Sequence, residues 1–442
     1  MKYLQDQLYD YQIPEKLTAL IQVGVRVQLP FGNRETEGIV VERVAQPGRA
    51  GELKSITKVL SATPVATVQS LHVIDLISQH YACNPWDLIR SAIPPRVASV
   101  DKSIQGDIVD SRKNSKRTIE FQTLAPFIQA HNQVVQLVQE NQGTGSILIV
   151  APDEKDVDLI IGALTKFGLS SVKLTAAMPR DERYRNYLEA MRRSISIVVG
   201  TRSAIFAPVN NLTTVIIHKE SSLDHYEVRS PGWNTRTVAL IRSEVESFKL
   251  VLTGFSPSIE VSQLIDEREI KYLNEKESVT VKPFTPSEGA LLPGRIFTDV
   301  KKALTSGPVL FIAPRKGYGN ALLCAHCRNV AACECGGRLS VSAKGKAPSC
   351  VHCGNSFPAW KCTFCNRDKQ YLAGRGIERA AEEISRAFPN FPVVISAGEV
   401  IKDRIEAKPA LVLATPGAQP QVEGGYAAVV ILEGLRFFAH TD

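Results

Sequence analysis

Eight of the nine cysteines of this 442-residue chain fall into four closely spaced pairs. The pairs are Cys324 with Cys327, Cys333 with Cys335, Cys350 with Cys353, and Cys362 with Cys365. Two residues between paired thiolates let one tight turn aim both sulfurs at a tetrahedral ion, so four pairs are enough for two four-cysteine zinc sites. The alternative, that eight thiols are merely buried, does not account for this spacing.

The four pairs can combine in nested or in sequential order. We favour the nested order, because the outer pairs share a two-residue spacing and the segment GGRLSVSAKGKAPS can form a hairpin that brings the inner pairs together. The inner pair around Glu334 has one intervening residue, which predicts a strained or weaker second site. The predicted ligands are Cys324, Cys327, Cys362 and Cys365 for zinc 1, and Cys333, Cys335, Cys350 and Cys353 for zinc 2.

Closed four-cysteine sites have no vacant ligand position, so zinc here is expected to hold a fold together and not to perform catalysis. Basic and aromatic residues are interleaved in this module, a combination that suits phosphates and unpaired bases or a partner protein. Alternatively, the aromatic residues form the small core between the metals. These residues are Arg328, Arg338, Lys344, Lys346, Lys361 and Arg367, with Phe357, Trp360 and Phe364.

The composition is that of a globular protein, with 44% apolar and 22% charged residues. No apolar run reaches the length of a membrane span, and the start, MKYLQDQLYDYQIPEKL, lacks the pattern of a signal peptide. We therefore expect a cytoplasmic protein with no membrane partner. The net charge of +7 and the pI near 8.8 are compatible with a polyanionic partner without requiring one.

The hydrophobic pattern predicts an α/β organisation. The segments GVRVQLPFG and TEGIVVERV predict a β-hairpin, and TVQSLHVIDLISQHY repeats apolar residues at helical spacing. After the polar segment SVDKSIQGDIVDSRKNSK, interpreted as a linker, apolar strands alternate with helices, which predicts a parallel sheet. A second such unit begins at GPVLFIAP, is interrupted by the cysteine module and resumes at GIERAAEEISRAF. Two lobes of this kind have the outline of a helicase.

Several segments carry a resemblance to a known family. LYDYQIP, VQLPFGNRETEGIVV and LKSITKVL resemble the amino-terminal domain of the PriA family of bacterial replication-restart DNA helicases, the domain that holds the 3′ end of the nascent leading strand. VVGTRSAIFAPVNNL is similar to the family's first helicase lobe, and APRKGYGNALLCAHC with the later cysteine pairs is similar to its zinc insert. The resemblance extends over nearly the whole chain and is to the degenerate form of high-GC Gram-positive bacteria.

The resemblance implies a small β-rich amino-terminal DNA-binding domain followed by two helicase-like (RecA-like) α/β lobes, the second interrupted by a binuclear zinc module. The implied boundaries are 1–97 for the 3′-end DNA-binding domain, 98–117 for a linker, 118–285 for lobe 1, 286–320 for the start of lobe 2, 321–368 for the zinc-binding module and 369–442 for the rest of lobe 2, without its carboxyl-terminal part. The family's winged-helix domain is missing, because this linker is too short to hold it.

The resemblance also implies a pocket for the 3′-terminal nucleotide, formed by Tyr9, Asp10, Gly32 and Lys54. These residue types suit such a pocket. Asp10 can accept the proton of the terminal hydroxyl, Tyr9 can stack on a base, Gly32 permits close backbone approach and Lys54 can neutralise a phosphate. The alternative from the residues alone is that Tyr9 belongs to the core and Asp10 to a turn.

The implied partners are forked and single-stranded DNA, primosome and helicase-loading proteins, and the single-stranded DNA-binding protein. A helix predicted from RDERYRNYLEAMRRS carries arginines that either lie along this DNA or form a solvated face paired with acids. These arginines are Arg180, Arg183, Arg185, Arg192 and Arg193.

The motifs of a nucleotide-driven motor are altered. A phosphate loop of the G-x-x-x-x-G-K-[ST] kind lies between a strand and a helix, and the sequence contains none. The nearest approach, GTGS at Gly143 to Ser146, lacks the lysine and runs into a strand, so we interpret it as a turn. Where the family carries a D-E-x-H box, IIHKESS has His218 and Lys219 in place of the two acids and keeps Glu220, which removes metal ligands.

These losses favour a restart protein that recognises abandoned or stalled replication forks and recruits the replisome-loading machinery without helicase activity of its own. Two zinc ions are the expected cofactors, and ATP is not expected as one. The first alternative is an active ATP-dependent 3′-to-5′ DNA helicase of the primosome. The second is a zinc-ribbon protein that acts on RNA or in transcription.

Overall fold

The computed structural model describes residues 8–48, 51–61, 63–104, 116–126, 128–192, 195–273, 279–285, 291–314, 319–434 and 437. The chain forms two compact units, Met1–Thr280 (unit 1) and Val281–Asp442 (unit 2). Within the part of the chain that the structure describes, no helix has both the length and the apolar character needed to cross a membrane.

Unit 1 begins with a small antiparallel sheet. Its strands are β1 (Arg26–Phe31), β2 (Arg34–Ile39) and β3 (Lys58–Ser61), in the order β2-β1-β3. β1 and β2 form the predicted hairpin, in which Phe31 pairs with Arg34 across a two-residue turn. Gly32 in this turn has a φ of +59°, a left-handed conformation that glycine adopts at little steric cost. The buried core of this sheet consists of Ile21, Val25, Val27 and Ile56.

Three helices follow the small sheet. They are α1 (Val68–His80), α2 (Pro85–Ala92) and α3 (Ala98–Ser103). α1 begins at a capping box, in which the side chains of Thr67 and Ser70 accept hydrogen bonds from each other's backbone amides. The helices share one hydrophobic core with the large sheet of unit 1, as Ile77 and Leu88 belong to the same cluster as Leu148. The layer that these helices form therefore runs across the boundary predicted at residue 97.

The structure differs from the predicted linker at its start. Residues 98–103 form α3, in which Asp101 accepts hydrogen bonds from Arg96 at 2.5 Å and from the Tyr184 hydroxyl at 2.6 Å. The polar character of this segment suggested a linker, but its charged residues bind the helix to the rest of unit 1. Residues 105–115 of the predicted linker lie outside the described residues.

A seven-stranded parallel sheet dominates unit 1. The strands of this region are β4 (Thr118–Thr123), β5 (Ser146–Val150), β6 (Val172–Leu174), β7 (Ile197–Gly200), β8 (Leu212–Ile217), β9 (Tyr226–Glu227), β10 (Trp233–Asn234), β11 (Lys249–Gly254) and β12 (Lys271–Leu273). The sheet has the order β12-β4-β11-β8-β5-β7-β6, and β9 pairs with β10 apart from it. Each neighbouring pair in the sheet is parallel, so the predicted α/β fold is confirmed.

Helices connect the strands of this sheet. They are α4 (Ala130–Glu140), α5 (Glu154–Lys166), α6 (Arg180–Arg192), α7 (Thr235–Glu246) and α8 (Ile259–Asp266). The sequence predicted the alternation of strands with helices, with α6 among the helices, but it did not single out β4, α4, α8 or β12. β4, TIEFQT, lacks the apolar run of a central strand because only Phe121 in it is buried.

The arginines of α6 are not spread along one solvated face. Arg192 is buried and donates a hydrogen bond to the carbonyl of Ile104 at 2.5 Å. Arg180 donates to the carbonyl of Arg96 at 2.8 Å. Both arginines therefore contact the segment around α3. The prediction is wrong for the buried Arg192, stays a prediction for the exposed Arg180, and falls outside the described residues for Arg193. Because burial removes water from a guanidinium, such a side chain needs carbonyls or acids to satisfy its donors.

Unit 2 contains a four-stranded parallel sheet and the cysteine module. Its helices are α9 (Gly294–Leu304) and α10 (Ile377–Ala387). Its strands are β13 (Val309–Ile312), β14 (Gly319–Cys324), β15 (Leu339–Ser340), β16 (Ser349–Cys350), β17 (Gln370–Arg375), β18 (Val393–Ser396), β19 (Arg404–Ile405), β20 (Leu411–Ala414), β21 (Gln421–Val422) and β22 (Ala428–Ile431). The sheet has the order β18-β20-β13-β22. The antiparallel pair β14 and β17 leads into and out of the module, which is thus an insertion between β13 and α10.

Candidate functional sites

The β1–β2 turn gathers three of the residues predicted to hold a 3′ end. The Lys54 ammonium donates a hydrogen bond to the Gly32 carbonyl at 3.2 Å, so the cation lies at the turn. The ring of Tyr9 lies 5.1 Å from the ring of Phe31, at an interplanar angle of 86°. Tyr9 is 50% exposed and Phe31 is 49% exposed, so the turn presents two aromatic surfaces beside an ammonium group.

Asp10 lies next to Tyr9 in the chain and is held in place by a backbone contact. Its Oδ2 accepts a hydrogen bond from the Gly48 amide at 2.9 Å. The segment that carries it is fixed by the Gln12 amide, which donates to the Lys54 carbonyl at 2.9 Å. A carboxylate with one oxygen bound by a backbone amide is oriented in advance of any ligand.

The structure brings the cysteines together in the nested order. One cluster contains Cys324, Cys327, Cys362 and Cys365, and the other contains Cys333, Cys335, Cys350 and Cys353. Within each cluster the sulfur atoms lie within 4.8 Å of one another. The hairpin of β15 and β16 brings the inner pairs together, because Leu339 pairs with Cys350 across it.

The sulfur geometry fits zinc. In the first cluster Cys324 Sγ is 3.4 Å from Cys365 Sγ, and in the second Cys335 Sγ is 3.4 Å from Cys350 Sγ and 3.6 Å from Cys353 Sγ. Four sulfurs at about 2.3 Å from a tetrahedral ion are separated by about 3.8 Å, so small outward shifts suffice to admit Zn²⁺. Eight thiolates with no oxygen ligand favour a soft ion of this kind over Mg²⁺ or Ca²⁺.

Backbone amides prepare these sulfurs to act as thiolates. The His326 amide donates to Cys324 Sγ and the His352 amide donates to Cys350 Sγ, each at 3.4 Å. Hydrogen bonds from the backbone, the largest from Cys353, lower the pKa of Cys350 to about 6. Thiolate is the metal-binding form, so these backbone contacts favour metal binding by Cys350 near neutral pH, although the pKa of Cys335 in the same cluster is raised.

The second cluster tolerates its short spacing because two glycines follow it. Gly336 has a φ of +82°, and a Cβ on Gly337 would lie 2.6 Å from Cys350 Sγ. The chain therefore turns tightly enough after Cys335 for both sulfurs of this pair to reach the cluster. Cys335 and Cys353 are exposed, whereas the sulfur-bearing residues of the first cluster are buried or half-buried, so the second cluster is the more accessible.

The aromatic residues of the module divide between its core and its surface. Trp360 is buried in one cluster with the cysteines, and Phe357 packs against it, as expected for a small core. Phe364 is 70% exposed. The Arg328 guanidinium lies 4.1 Å from the centre of the Tyr371 ring, a cation–π contact on the surface. The core interpretation is therefore confirmed for Trp360 and Phe357, whereas a contact of the exposed Phe364 with DNA or a partner stays a prediction.

The loop after β4 has the strand-to-helix position that a phosphate loop requires. It reads LAPFIQ over residues 124–129, with neither glycine nor lysine. The Ala125 amide donates to Gln133 Oε1 at 2.7 Å, and the Gln133 side-chain amide donates to the carbonyls of Ala125 and Ile128 at 3.0 and 2.9 Å. The segment GTGS lies at the amino-terminal end of β5, whereas a phosphate loop follows the carboxyl-terminal end of a strand. It forms turns, as predicted.

At the altered acidic box, Lys219 forms an ion pair within the protein that a bound metal ion would disturb. Lys219 Nζ lies 2.7 and 2.8 Å from the two carboxylate oxygens of Asp156. His218 is buried, and burial lowers its pKa to about 3, so its imidazole is neutral at pH 7. An ammonium group repels a divalent cation, and the carboxylate beside it is already paired.

The remaining acid of the box, Glu220, is also fully engaged. Its side chain is 0% exposed. Oε1 accepts from the Ser258 amide at 2.7 Å, and Oε2 accepts from Arg236 at 2.8 Å and from the Ser258 hydroxyl at 3.1 Å. Arg236 also lies 3.0 Å from Glu260. The carboxylate therefore joins β8 to the start of α7 and of α8.

Sequence reasoning missed several of these residues. Phe31 was not singled out, although it precedes Gly32 and could have been noted as a second aromatic beside a turn. Asp156 and Arg236 carry no local signal of their partners, because these pairs form only when helices α5 and α7 pack beside the segment that follows β8.

Comparison with known proteins reveals the family. A model of the PriA 3′ DNA-binding domain (3′BD) matches residues 2–94. The probable replication restart protein PriA of Mycobacterium tuberculosis is 30% identical over 484 residues, which cover 99% of this chain and 73% of that protein. Replication restart protein PriA of Rickettsia felis is 23% identical over 427 residues, which cover 89% of this chain and 65% of that protein.

A solved structure is also similar in part. The match to the C-terminal domain of the DEAD-box protein Dbp5 covers 36% of this chain and 90% of that domain. Its TM-score is 0.28 and the sequence identity is 13%. A likeness at that score carries no argument. The family model and the mycobacterial relative, by contrast, confirm the resemblance predicted from the sequence, and the chain belongs to the PriA family of replication restart proteins.

Proposed function

We propose that this protein recognises the 3′ end of a nascent strand at an abandoned replication fork and marks that fork for the replisome-loading machinery, without unwinding DNA itself. The observation that carries the proposal is an exposed aromatic ring beside an ammonium group at one turn, at Tyr9 and Lys54, with the oriented carboxylate of Asp10 next to Tyr9 in the chain. The match of residues 2–94 to the model of the PriA 3′ DNA-binding domain supports the same assignment.

Each of these groups has a separate role in recognising an end. Tyr9 stacks on the terminal base, a contact that every base can make. Lys54 neutralises a backbone phosphate near the turn, and Gly32 leaves room for the nucleotide. Oδ1 of Asp10 accepts a hydrogen bond from the terminal 3′-hydroxyl, while Oδ2 remains on the Gly48 amide. A strand that continues past this nucleotide has no free hydroxyl, so the pocket detects where a strand stops.

The zinc module supplies the docking surface. Two zinc ions, one in each cysteine cluster, hold the module folded and leave its exposed basic and aromatic residues for DNA or for partners. The partners we assign are primosome and helicase-loading proteins and the single-stranded DNA-binding protein. When bound, each ion supplies structural coordination only, because four sulfurs complete its shell.

The contacts in the segments that follow β4 and β8 support the proposal that the protein does not hydrolyse ATP. Hydrolysis needs a cradle of free amides and carboxylates that hold magnesium. The Ala125 amide is bonded to Gln133, Lys219 pairs with Asp156, and both oxygens of Glu220 are bonded within the protein. Creating a nucleotide site here would require these contacts to break.

Replacing Asp10 by alanine tests the proposed pocket. We expect the wild-type protein to bind a fork with a 3′-hydroxyl about tenfold more tightly than a fork with a 3′-phosphate, because a hydrogen bond to a charged group contributes about 1.5–3 kcal/mol. Asp10→Ala should bind the two forks equally, as measured by fluorescence anisotropy. Raising the salt concentration should weaken both interactions of the wild-type protein without removing its preference.

Glu52→Ala is the matched control, since it removes an exposed carboxylate from the same domain. It should leave the preference unchanged. Equal binding of the two ends by the wild-type protein, or a preference that persists in Asp10→Ala, would contradict the proposed pocket.

A further inference from the structure

The segment that carries Tyr9 has little regular structure to fix its side chains. Residues 8–11 belong to no helix or named strand, and the nearest backbone pairing is the isolated bridge between Gln12 and Ser55. Half of the Tyr9 surface is exposed. A tyrosine in such a segment samples several side-chain orientations unless a neighbour selects one.

Phe31 is that neighbour, and it is held more firmly than Tyr9. It ends β1, where it pairs with Arg34 of β2. The Tyr11 hydroxyl donates to the carbonyl of Pro30 at 3.0 Å, which ties the irregular segment to the end of the same strand. The position of Phe31 is therefore set by the hairpin, and that of Tyr9 by its contact with Phe31.

The geometry of the ring pair keeps aromatic surface free for a ligand. The centroids are 5.1 Å apart and the planes are nearly perpendicular, at 86°. In an edge-to-face pair the edge of one ring covers a single face of the other, so stacking surface remains on both rings. A pair of this kind contributes attraction beyond the area that it buries, enough to favour one orientation of an exposed ring.

We infer that Phe31 is a positioning residue, which holds the Tyr9 ring in the orientation that stacks on the terminal base of the bound strand. This inference rests on the proposed 3′-end pocket and adds to it the residue that orients the stacking ring. The ligand class is therefore a DNA 3′ end with both a free hydroxyl and an aromatic base. The hydroxyl is recognised by Asp10, and the base is recognised by the Tyr9 ring that Phe31 orients.

The test compares forks whose 3′-terminal nucleotide carries a base or is abasic, both with a free 3′-hydroxyl. The wild-type protein should bind the fork with a base about tenfold more tightly, in keeping with the contribution of stacking on one aromatic side chain. Phe31→Leu should lose most of that difference while retaining its preference for a 3′-hydroxyl over a 3′-phosphate. Phe31→Tyr should restore it, because an aromatic ring is regained at this position.

A double-mutant cycle shows whether Phe31 acts through Tyr9. Tyr9→Leu alone should also lose the preference for a terminal base, and Phe31→Leu should have no further effect in the Tyr9→Leu background. Additive losses of affinity in the double variant would contradict the inference. An equal loss of affinity of Phe31→Leu for forks with and without the base would also contradict it, because that result would indicate a purely structural role. Thermal unfolding of each variant checks that the small sheet remains folded.

The same measurements separate this inference from the proposed function. If the wild-type protein ignores the difference between a 3′-hydroxyl and a 3′-phosphate, the pocket itself is wrong. If it distinguishes them but Phe31→Leu behaves as wild type towards the abasic end, the pocket stands and the role of Phe31 is overturned.

Discussion

Replacing Cys362 by serine is expected to unfold the zinc module while unit 1 remains folded. Cys362 is buried in the small core of the module, and its sulfur lies 3.5 Å from Cys327 Sγ. Binding of a structural zinc ion contributes about 10–16 kcal/mol to the folding of small zinc domains, far more than a core of this size can replace. Loss of one of four ligands should release the ion and expose Trp360.

The measurements are the zinc content and the tryptophan fluorescence of the purified protein. The wild-type protein should contain two zinc ions per chain, and Cys362→Ser should contain one or none, with the Trp360 emission shifted towards that of water-exposed indole. Cys83→Ser is the control, since Cys83 lies outside both clusters and should leave two ions in place. Retention of both ions and an unchanged spectrum in Cys362→Ser would refute the assigned ligands.

Replacing Arg236 by methionine is expected to destabilise unit 1 by about 3–5 kcal/mol, the cost of leaving a buried charge without its partner. The Glu220 side chain is 0% exposed, and Arg236 is the cation beside it, at 2.8 Å. Without Arg236 the buried carboxylate must either remain charged without a cation beside it or take up a proton. Each outcome reduces the free energy of unfolding.

Urea unfolding followed by circular dichroism measures this effect. Arg229→Met, at an exposed position, should change stability little. The double variant Glu220→Gln with Arg236→Met should recover part of the loss, because it removes the buried charge as well as its partner. An Arg236→Met protein as stable as the wild type would mean that Glu220 does not depend on this pair.

The sequence predicted those elements whose residues carry a strong local pattern. Runs such as SILIV and IVVG became central strands because both of their faces are buried. The nested order of the cysteines followed from spacing and from the hairpin between them. β4 was missed because its sequence contains polar residues, as an edge strand does. These polar residues have partners elsewhere in the chain, such as Lys249, which lies 3.0 Å from Glu120.

The contacts that define the sites depend on residues far apart in sequence. Lys219 and Asp156 are 63 residues apart, and Tyr9 contacts Phe31 at the end of a strand of the hairpin. Residue types suggested that the arginines of α6 lie along DNA or in solvent, but the fold uses Arg192 to bind a carbonyl in the interior. Charge on a helix therefore indicates function poorly until its packing is known.

We propose that this protein marks a fork end without consuming nucleotide. The most direct test of this proposal is ATP turnover by the purified, zinc-loaded protein with and without a fork that carries a 3′-hydroxyl. The account predicts tight binding of that fork and no turnover above the protein-free rate in either case. Hydrolysis stimulated by the fork, accompanied by strand separation, would contradict it.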